Sequence, residues 1–481
     1  MAPDSSATLL IDGTWRSSEK TFTVVDPATL EPIGEAADGT PEEALEALDA
    51  ACAAFDGWRA TSPEERAGLL RAAATELRGQ VERLAELITA ENGKPLNEAR
   101  IEVIASARML EWSAEEGRRA NGRVTPGGAT GPGLVMYAPI GPALAISPWN
   151  FPASMLVRKL GLALAAGAPV IAKPAEQTPL IATELVRILQ DTGLPPGVLQ
   201  SITTARPAEV VGALLDDPRL RKVSFTGSTE VGLSLIRNVD GHLRRTSLEL
   251  GGHSPAIVFA DADLEQVAAA VTTAKFANAG QSCIAINRLY VEREAHDELV
   301  AKLAERASAL RVGRGSEEGV AVGPLIDEDG LAKVERHVGD AIAKGAKAVV
   351  GGSRWEPDDE ALKGAFFEPT ILTEVDQGME VSKEETFGPV LAVYPFDRDE
   401  EAIEFANNTS YGLAAYLFTS DFKRIWSTVD ALEFGIIGVN DGTPVRPELP
   451  FGGVKNSGQE REGGSEGIDA YLEPKAVSIR L

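Results

Sequence analysis

Three side chains in this 481-residue sequence could take part in covalent chemistry. Cys283 ends the segment Gly280-Gln281-Ser282-Cys283, where small residues would allow another group to approach a nucleophilic thiolate. Glu249 ends an apolar run and precedes two glycines, so it could be a general base at the edge of a sheet, with its pKa raised by burial. The amide of Asn150 could donate a hydrogen bond to an oxyanion. Each of the three also has a purely structural interpretation, as a buried thiol or as part of a turn.

Two further segments have the composition of a nucleotide site. Phe225-Thr226-Gly227-Ser228 follows a predicted strand and opens a helix, so free backbone N–H groups and the Ser228 hydroxyl could bind a phosphate. Lys173 and Glu176 follow another predicted strand and suit ribose hydroxyls. The usual G-x-G-x-x-G fingerprint is absent, because Gly313-Arg314-Gly315 has a glutamate at position 318.

The elements that must position these residues alternate between strands and helices. Short apolar strands are predicted at 143–147, 169–172, 199–203 and 222–225, with helices between them. This βαβ order predicts an α/β protein with a doubly wound parallel sheet, which binds phosphate-bearing ligands at the carboxyl ends of its strands. Upstream, Thr40-Pro41-Glu42-Glu43 and Ser62-Pro63-Glu64-Glu65 each combine a capping hydroxyl, a proline and acidic residues, which predicts two helix starts.

Composition excludes several classes of protein. The chain has 46 Lys and Arg against 72 Asp and Glu, a formal net charge of -26, which repels nucleic acid and anionic bilayers. Two cysteines cannot form a disulfide framework, and four scattered histidines lack metal-ligand spacing, so we expect no metal site. No signal peptide or membrane-spanning run is recognisable, so we expect a cytoplasmic protein without a membrane or nucleic-acid partner.

The order of the motifs is far more specific than any one of them. Pro148-Trp149-Asn150-Phe151-Pro152, Lys-Pro-Ala-Glu, Phe-Thr-Gly-Ser, Glu-Leu-Gly-Gly, Gly-Gln-Ser-Cys and Glu385-Thr386-Phe387-Gly388-Pro389 follow one another along the chain. From Ile11-Asp12-Gly13 to its end, the sequence resembles the NAD(P)-dependent aldehyde dehydrogenase family.

The resemblance implies a mechanism. Cys283 would attack the aldehyde carbonyl, while Asn150 and the Cys283 N–H hold the oxyanion. Hydride would leave for the nicotinamide to give a thioester, and Glu249 would activate the water that releases the acid. The residues expected to hold the cofactor are Trp149 and Leu250 at the nicotinamide, Glu385 and Phe387 at its ribose, Gly227 and Ser228 at the pyrophosphate, and Lys173 and Glu176 at the adenine-side ribose. The Glu176 carboxylate would repel a 2′-phosphate, so NAD is expected to be preferred to NADP.

The resemblance also implies three parts and an oligomer. They are a doubly wound cofactor-binding domain (1–120 and 143–251), an α/β catalytic domain (252–449) and a small β oligomerisation element (121–142 and 450–481). Val477 and Ile479 alternate with polar neighbours as in an edge strand, and an open edge is best covered by a partner. A homodimer or homotetramer is therefore expected.

The substrate is expected to be a small semialdehyde. Arg158 and Arg288 match arginines that bind the substrate carboxylate in the succinate-semialdehyde dehydrogenase branch, and two guanidinium groups suit an ω-oxo acid. Val445 stands where that branch often has a serine, Arg446 beside it is unusual, and Ala285 excludes a thiol switch. An uncharged aliphatic or aromatic aldehyde is the alternative. A CoA-acylating relative or a non-enzymatic scaffold would be expected to lack Glu249 or Cys283, and both are present.

Overall fold

The amino-terminal part supplies one small three-stranded sheet, two strands that join the first large sheet, and four helices. We describe a computed structural model, covering residues 6–127, 131–238 and 242–479. Residues 1–5, 128–130, 239–241 and 480–481, which belong to the predicted segments 1–120, 121–142, 143–251 and 450–481, lie outside the described residues. The first elements are β1 (Ser6–Ala7), β2 (Leu9–Ile11), β3 (Thr14–Arg16), β4 (Thr21–Val25), β5 (Pro32–Ala37), α1 (Pro41–Ala60), α2 (Pro63–Gly79), α3 (Val81–Asn92) and α4 (Leu96–Arg119).

Both predicted helix starts are confirmed. Thr40 accepts the N–H of Glu43, and the Glu43 carboxylate accepts the N–H of Thr40. Ser62 and Glu65 form the same reciprocal pair at the start of α2. Each pair satisfies two backbone N–H groups that a helix start otherwise leaves free.

The Gly- and Pro-rich segment that follows forms two strands, β6 (Arg123–Thr125) and β7 (Gly133–Pro139), and then the predicted βαβ run begins. The next elements are β8 (Ala143–Ile146), α5 (Pro152–Ala166), β9 (Val170–Lys173), α6 (Pro179–Asp191), β10 (Leu199–Ser201), α7 (Pro207–Asp216), β11 (Lys222–Thr226), α8 (Thr229–Asn238) and β12 (Arg245–Glu249). Strands β12, β11, β8, β9 and β10 are neighbours in that order and are parallel. The prediction of a doubly wound parallel sheet is confirmed, with β2 and β3 added antiparallel at one edge.

A second, seven-stranded sheet forms the next α/β region. Its elements are β13 (Ser254–Val258), α9 (Leu264–Phe276), β14 (Ile286–Glu292), α10 (Arg293–Ser308), α11 (Glu328–Ala343), β15 (Lys347–Val350), β16 (Thr370–Thr373), α12 (Glu380–Lys383), β17 (Val390–Phe396), α13 (Asp399–Asn407), β18 (Ala414–Phe418), α14 (Phe422–Ala431) and β19 (Ile436–Val439). The strand order is β15-β16-β17-β14-β13-β18-β19, and β15 is the antiparallel member. Valine, leucine and isoleucine side chains of the central strands form the buried core.

The carboxyl-terminal segment returns to the first half of the molecule. It contains β20 (Gly458–Gln459), α15 (Glu466–Asp469) and β21 (Leu472–Ser478). Strand β21 pairs antiparallel with β7, so the two predicted pieces of the oligomerisation element share one three-stranded sheet. Strand β20 instead pairs with the end of β12, opposite Glu249. No helix within the described ranges combines the length and hydropathy that a bilayer crossing requires.

Candidate active site

The nucleophile segment is a tight backbone reversal between α9 and β14. Asn278 and Ala279 have φ values of 50° and 54°, and Gly280 follows at 73°. A Cβ atom at Gly280 would overlap the carbonyl oxygen of Gly388, and one at Gly252 would overlap the carbonyl oxygen of Cys283. These two glycines therefore allow three loops to meet backbone to backbone around the Cys283 thiol.

Asn150 lies in the turn between β8 and α5 and contacts the nucleophile segment directly. Its side-chain nitrogen donates to the carbonyl oxygen of Gln281 at 3.0 Å. An amide has two N–H groups, so one is left to stabilise a developing negative charge beside the thiol. The structure thus brings Asn150 to the segment that ends in Cys283, a residue 133 positions further along the chain.

Glu249 ends β12 and is 1 % exposed. Neither carboxylate oxygen has a hydrogen-bond partner among the described residues. Burial raises the pKa of Glu249 well above its usual value, the charge of Glu462 raises it further, and the cations of Lys159 and Arg158 act in the opposite direction. An unpartnered carboxyl group with a raised pKa is suited to accept a proton near neutral pH.

The Cys283 thiol is protonated in this environment. Burial raises its pKa to about 12, with the Glu385 and Glu249 charges adding to the effect and Arg158 opposing it. A thiol of this kind reacts only after it loses its proton, because the thiolate is the nucleophile. Glu249 is close enough for its charge to act on the thiol, so it is a candidate to receive that proton as well.

Lys159 and Glu462 form a buried ion pair behind Glu249, and the sequence analysis did not find it. The Lys159 ammonium donates to the carboxylate of Glu462 and, at 2.7 Å, to the hydroxyl of Thr226. Ser224 donates to the same carboxylate at 2.8 Å. Lys159 directly follows Arg158 in sequence, but its partner lies 303 positions away, so no local pattern points to the pair.

Two of the predicted ribose ligands lie together at the carboxyl end of β9. The Lys173 ammonium is 3.2 Å from the Glu176 carboxylate, with the lysine buried and the glutamate partly exposed. At the start of α8 the Ser228 hydroxyl accepts the N–H of Val231 and caps the helix. The N–H of Gly227 is not free as predicted, because it donates to the carbonyl oxygen of Glu249 at 3.1 Å. Gly227 therefore links the ends of β11 and β12.

The predicted nicotinamide-side residues surround the nucleophile segment. The N–H of Gly252 donates to the Glu385 carboxylate at 2.9 Å, and burial raises the pKa of Glu385 to about 7. Phe387 has a φ of 55°, and its ring meets that of Trp149 edge to face with centroids 5.6 Å apart. Leu250 is buried, and its N–H donates to Ser457. The Glu176 and Glu385 carboxylates can accept hydrogen bonds from ribose hydroxyls and the Lys173 ammonium can donate to them, so these residues fit a dinucleotide.

Arg158 lies on α5 and is 4 % exposed. Its Nε and Nη1 atoms have no hydrogen-bond partner among the described residues, and its guanidinium carbon lies 4.5 Å from the centre of the Phe451 ring. The group lines a cavity of about 670 Å³. The other lining residues include Met109, Trp112, Ser154 and Val445, together with charged side chains of both signs, which are Arg78, Arg108, Arg446, Glu111, Glu115 and Glu448. Arg158 is therefore a buried cation with unpartnered donors among the described residues, and it borders the cavity.

Arg288, the other predicted substrate ligand, does not line this cavity. It lies on β14, is 0 % exposed, and all five of its N–H groups are used within the protein. The acceptors are the carbonyl oxygens of His253, Phe405 and Ala406 and the hydroxyl of Tyr290. A guanidinium with every donor satisfied has nothing left for a substrate carboxylate.

No group of three or more histidine, cysteine or acidic residues with the geometry of a metal site is found in the ranges that the structure describes. His253 is buried, and burial together with the Arg288 charge lowers its pKa well below the usual value. Its ring packs edge to face on Tyr411.

The chain is similar to known proteins over nearly its whole length. The sequence profile of the "Aldehyde dehydrogenase family" matches residues 15–477. The mitochondrial succinate-semialdehyde dehydrogenase of Rattus norvegicus is 46% identical over 97% of this chain and 89% of its own length. A glutarate-semialdehyde dehydrogenase of Pseudomonas putida is 42% identical over 98% of this chain and 97% of its own. The crystal structure of a succinate-semialdehyde dehydrogenase from Burkholderia pseudomallei superposes with a TM-score of 0.96 at 42% identity, covering 99% and 98% of the two chains.

Proposed function

Because the chain belongs to the aldehyde dehydrogenase family, we propose that it oxidises a small aldehyde with a distal carboxylate, most simply succinic semialdehyde, and that it prefers NAD. The observation that carries the substrate proposal is Arg158, a residue that lines the cavity and whose buried guanidinium has two nitrogen atoms without a partner among the described residues. A carboxylate that enters a dry pocket must exchange its water for such donors.

The chemistry follows from the placement of three side chains. Glu249 would take the Cys283 proton, and the thiolate would add to the aldehyde carbon. The Asn150 amide and the N–H of Cys283 would hold the oxygen of the resulting thiohemiacetal. Nicotinamide, when bound, supplies the acceptor for the hydride that leaves this carbon, which turns the thiohemiacetal into a thioester. After the first proton has passed to solvent, Glu249 would take a proton from water as the water oxygen attacks the thioester, and would return that proton to the departing Cys283 thiolate, which releases the acid and restores the thiol.

The preference for NAD is supported by Glu176. Its carboxylate sits beside Lys173 at the end of β9, where an adenine-side ribose would lie, and it repels a phosphate on that ribose. Relatives of both kinds exist, since one from Escherichia coli that is 43% identical carries NADP(+) in its name and one from Sinorhizobium meliloti that is 32% identical is described as NAD-dependent. A comparison of kcat/KM with NAD and with NADP tests the proposal directly.

The cavity itself favours a second candidate, a longer or uncharged aldehyde. A volume of about 670 Å³ exceeds what a four-carbon acid fills, Met109 and Trp112 line it, and Val445 adds no hydroxyl. The test is a panel of ω-semialdehydes of increasing length beside butanal and benzaldehyde, read as kcat/KM from the absorbance of the reduced cofactor. If the neutral aldehydes are clearly better substrates than every semialdehyde, the carboxylate proposal is wrong while aldehyde oxidation stands.

The protein also works as a homodimer or homotetramer in this proposal. Strand β21 is largely exposed and has a free edge in its small sheet, and β19 is the edge of the seven-stranded sheet. Unpaired strand edges of this kind are usually covered by another chain. Light scattering during size-exclusion chromatography would give the mass, and a monomer at micromolar concentration would contradict the proposal.

A further inference from the structure

A second buried ion pair, between Lys94 and Glu102, lies on the far side of the Asn150 turn. Lys94 follows α3 and is 1 % exposed, and its ammonium is 2.6 Å from the Glu102 carboxylate on α4. The same ammonium donates to the main-chain oxygen of Asn150 at 2.7 Å and lies 4.0 Å from the centre of the Phe151 ring. A buried charge is costly unless it is fully surrounded by partners, and these contacts surround this one.

Both the main chain and the side chain of Asn150 form hydrogen bonds within the protein. Its carbonyl oxygen also accepts the side-chain amide of Asn278 at 2.8 Å, and Asn278 belongs to the nucleophile segment. Its own amide donates to Gln281, as described above. Lys94 and Asn278 thus donate to the same oxygen atom from two parts of the fold, one from the loop between α3 and α4 and one from the segment that ends in Cys283. The direction of the free Asn150 N–H depends on both contacts.

Glu102, the other member of the ion pair, connects the pair to the first turn of α5. One of its oxygens accepts the N–H groups of Ala153 and Ser154, at 2.9 Å and 3.2 Å, in the first turn of α5. A carboxylate is favourable there because the start of a helix carries partial positive charge. The same helix carries Arg158. One ion pair therefore fixes the oxyanion donor and the helix of the substrate-binding arginine relative to each other.

We propose that Lys94 and Glu102 are positioning residues for aldehyde oxidation, which hold the Asn150 amide where the oxyanion forms. They touch neither substrate nor cofactor and act through Asn150. The inference rests on the proposed function, because it requires an oxyanion beside Cys283.

The test compares single-turnover rates in variants that keep the buried charges balanced. Lys94→Met with Glu102→Gln removes both charges together and leaves an amide oxygen to cap α5. We expect the burst of reduced cofactor to slow about 10- to 100-fold, part of the loss typical of deleting an oxyanion donor. NAD affinity should stay within about twofold, since no contact to the cofactor residues changes. Lys222→Met is the matched control, because Lys222 is equally buried but contacts Ser247 and Tyr471 instead.

The decisive measurement repeats the double variant in an Asn150→Ala background. If the ion pair acts through Asn150, its loss should slow that background by less than about threefold, because the group it positions is already gone. The proposal would be overturned if the double variant slowed the Asn150→Ala enzyme by as large a factor as it slows the unaltered enzyme. An unchanged burst rate in the double variant alone would overturn it as well. Asn278→Gly provides a second test should the double variant not fold. Glycine tolerates the positive φ at position 278, and the substitution removes the other donor to the Asn150 carbonyl oxygen. The resulting rate loss should likewise be small in the Asn150→Ala background. An unaltered enzyme that oxidises no aldehyde would instead refute the proposed function.

Discussion

Replacing Arg158 with methionine should remove the selectivity for a carboxylate while keeping the oxidation itself. Methionine is nearly as long, is apolar, and can still pack on Phe451. The guanidinium has two buried nitrogen atoms without partners in the part of the chain that the structure describes, so a carboxylate gains hydrogen bonds between charged groups there. Such a bond is worth about 1.5–3 kcal/mol. At about 1.36 kcal/mol per factor of ten, kcat/KM for succinic semialdehyde should fall roughly 10- to 150-fold.

The same substitution should change the pH dependence with a neutral substrate. The Arg158 cation lowers the pKa of both Glu249 and Cys283, so its removal raises both. Both groups act in their deprotonated forms. The rising limb of kcat/KM for butanal should therefore move to higher pH in Arg158→Met, while its value at high pH stays near that of the unaltered enzyme.

The assay is steady-state turnover with succinic semialdehyde and butanal, each across a pH series. Arg108→Met is the control, because Arg108 lines the same cavity but is exposed, and it should lower either kcat/KM by less than about threefold. Equal losses for the charged and neutral substrates in Arg158→Met would refute the reasoning, because they would mean that Arg158 supports the fold and not the carboxylate.

Three further outcomes are expected. Cys283→Ala should abolish aldehyde oxidation while its affinity for NAD, measured by calorimetry, stays nearly intact. Normal turnover in this variant would exclude the proposed nucleophile. Glu249→Gln should instead give one slow burst of reduced cofactor followed by little turnover. Glu176→Ser should reduce or reverse a preference for NAD of about tenfold or more, since one like-charge contact is worth on the order of 1–2 kcal/mol, and better kcat/KM with NADP in the unaltered protein would contradict this. Arg288→Met should lower the melting temperature, because the carbonyl oxygens of buried residues lose their hydrogen-bond donor. The ratio of kcat/KM for the semialdehyde to kcat/KM for butanal should not change. A changed ratio would show that Arg288 does bind the substrate carboxylate.

Local sequence patterns predicted the elements well because the controlling interactions are themselves local. The capping pairs of α1 and α2 join residues three positions apart, and the strands β8, β9, β10 and β11 lie where short apolar runs predicted them. The convergence of Asn150 with Cys283 could be expected from motif order and from the rule that parallel strands present their carboxyl ends at one edge.

The predicted and the observed site differ where the direction of a side chain or a partner distant in sequence decides the contact. Arg288 is five residues from Cys283, yet β14 runs between β13 and β17, and the register that pairs Arg288 with Pro255 and Ala392 sends its side chain toward backbone carbonyls. Strand neighbours set that direction, and sequence spacing carries no information about them. Gly227 likewise uses its N–H on Glu249 because β12 lies beside β11. The Lys159–Glu462 pair was missed for the same reason, since its members meet only in the folded chain.

The glycines that let the loops meet around Cys283 have a consequence for protein engineering. Because the nearest neighbour of both Gly252 and Gly280 is a backbone carbonyl oxygen, no rearrangement of rotamers could make room for a larger residue at either position. The walls of the cavity are different, since Met109, Trp112 and Ser154 project from helices and Val445 from a loop. A mutational library aimed at new aldehydes should therefore sample those four positions and hold both glycines constant. The scaffold separates the part that evolution can vary for substrate from the part that must stay unchanged for chemistry.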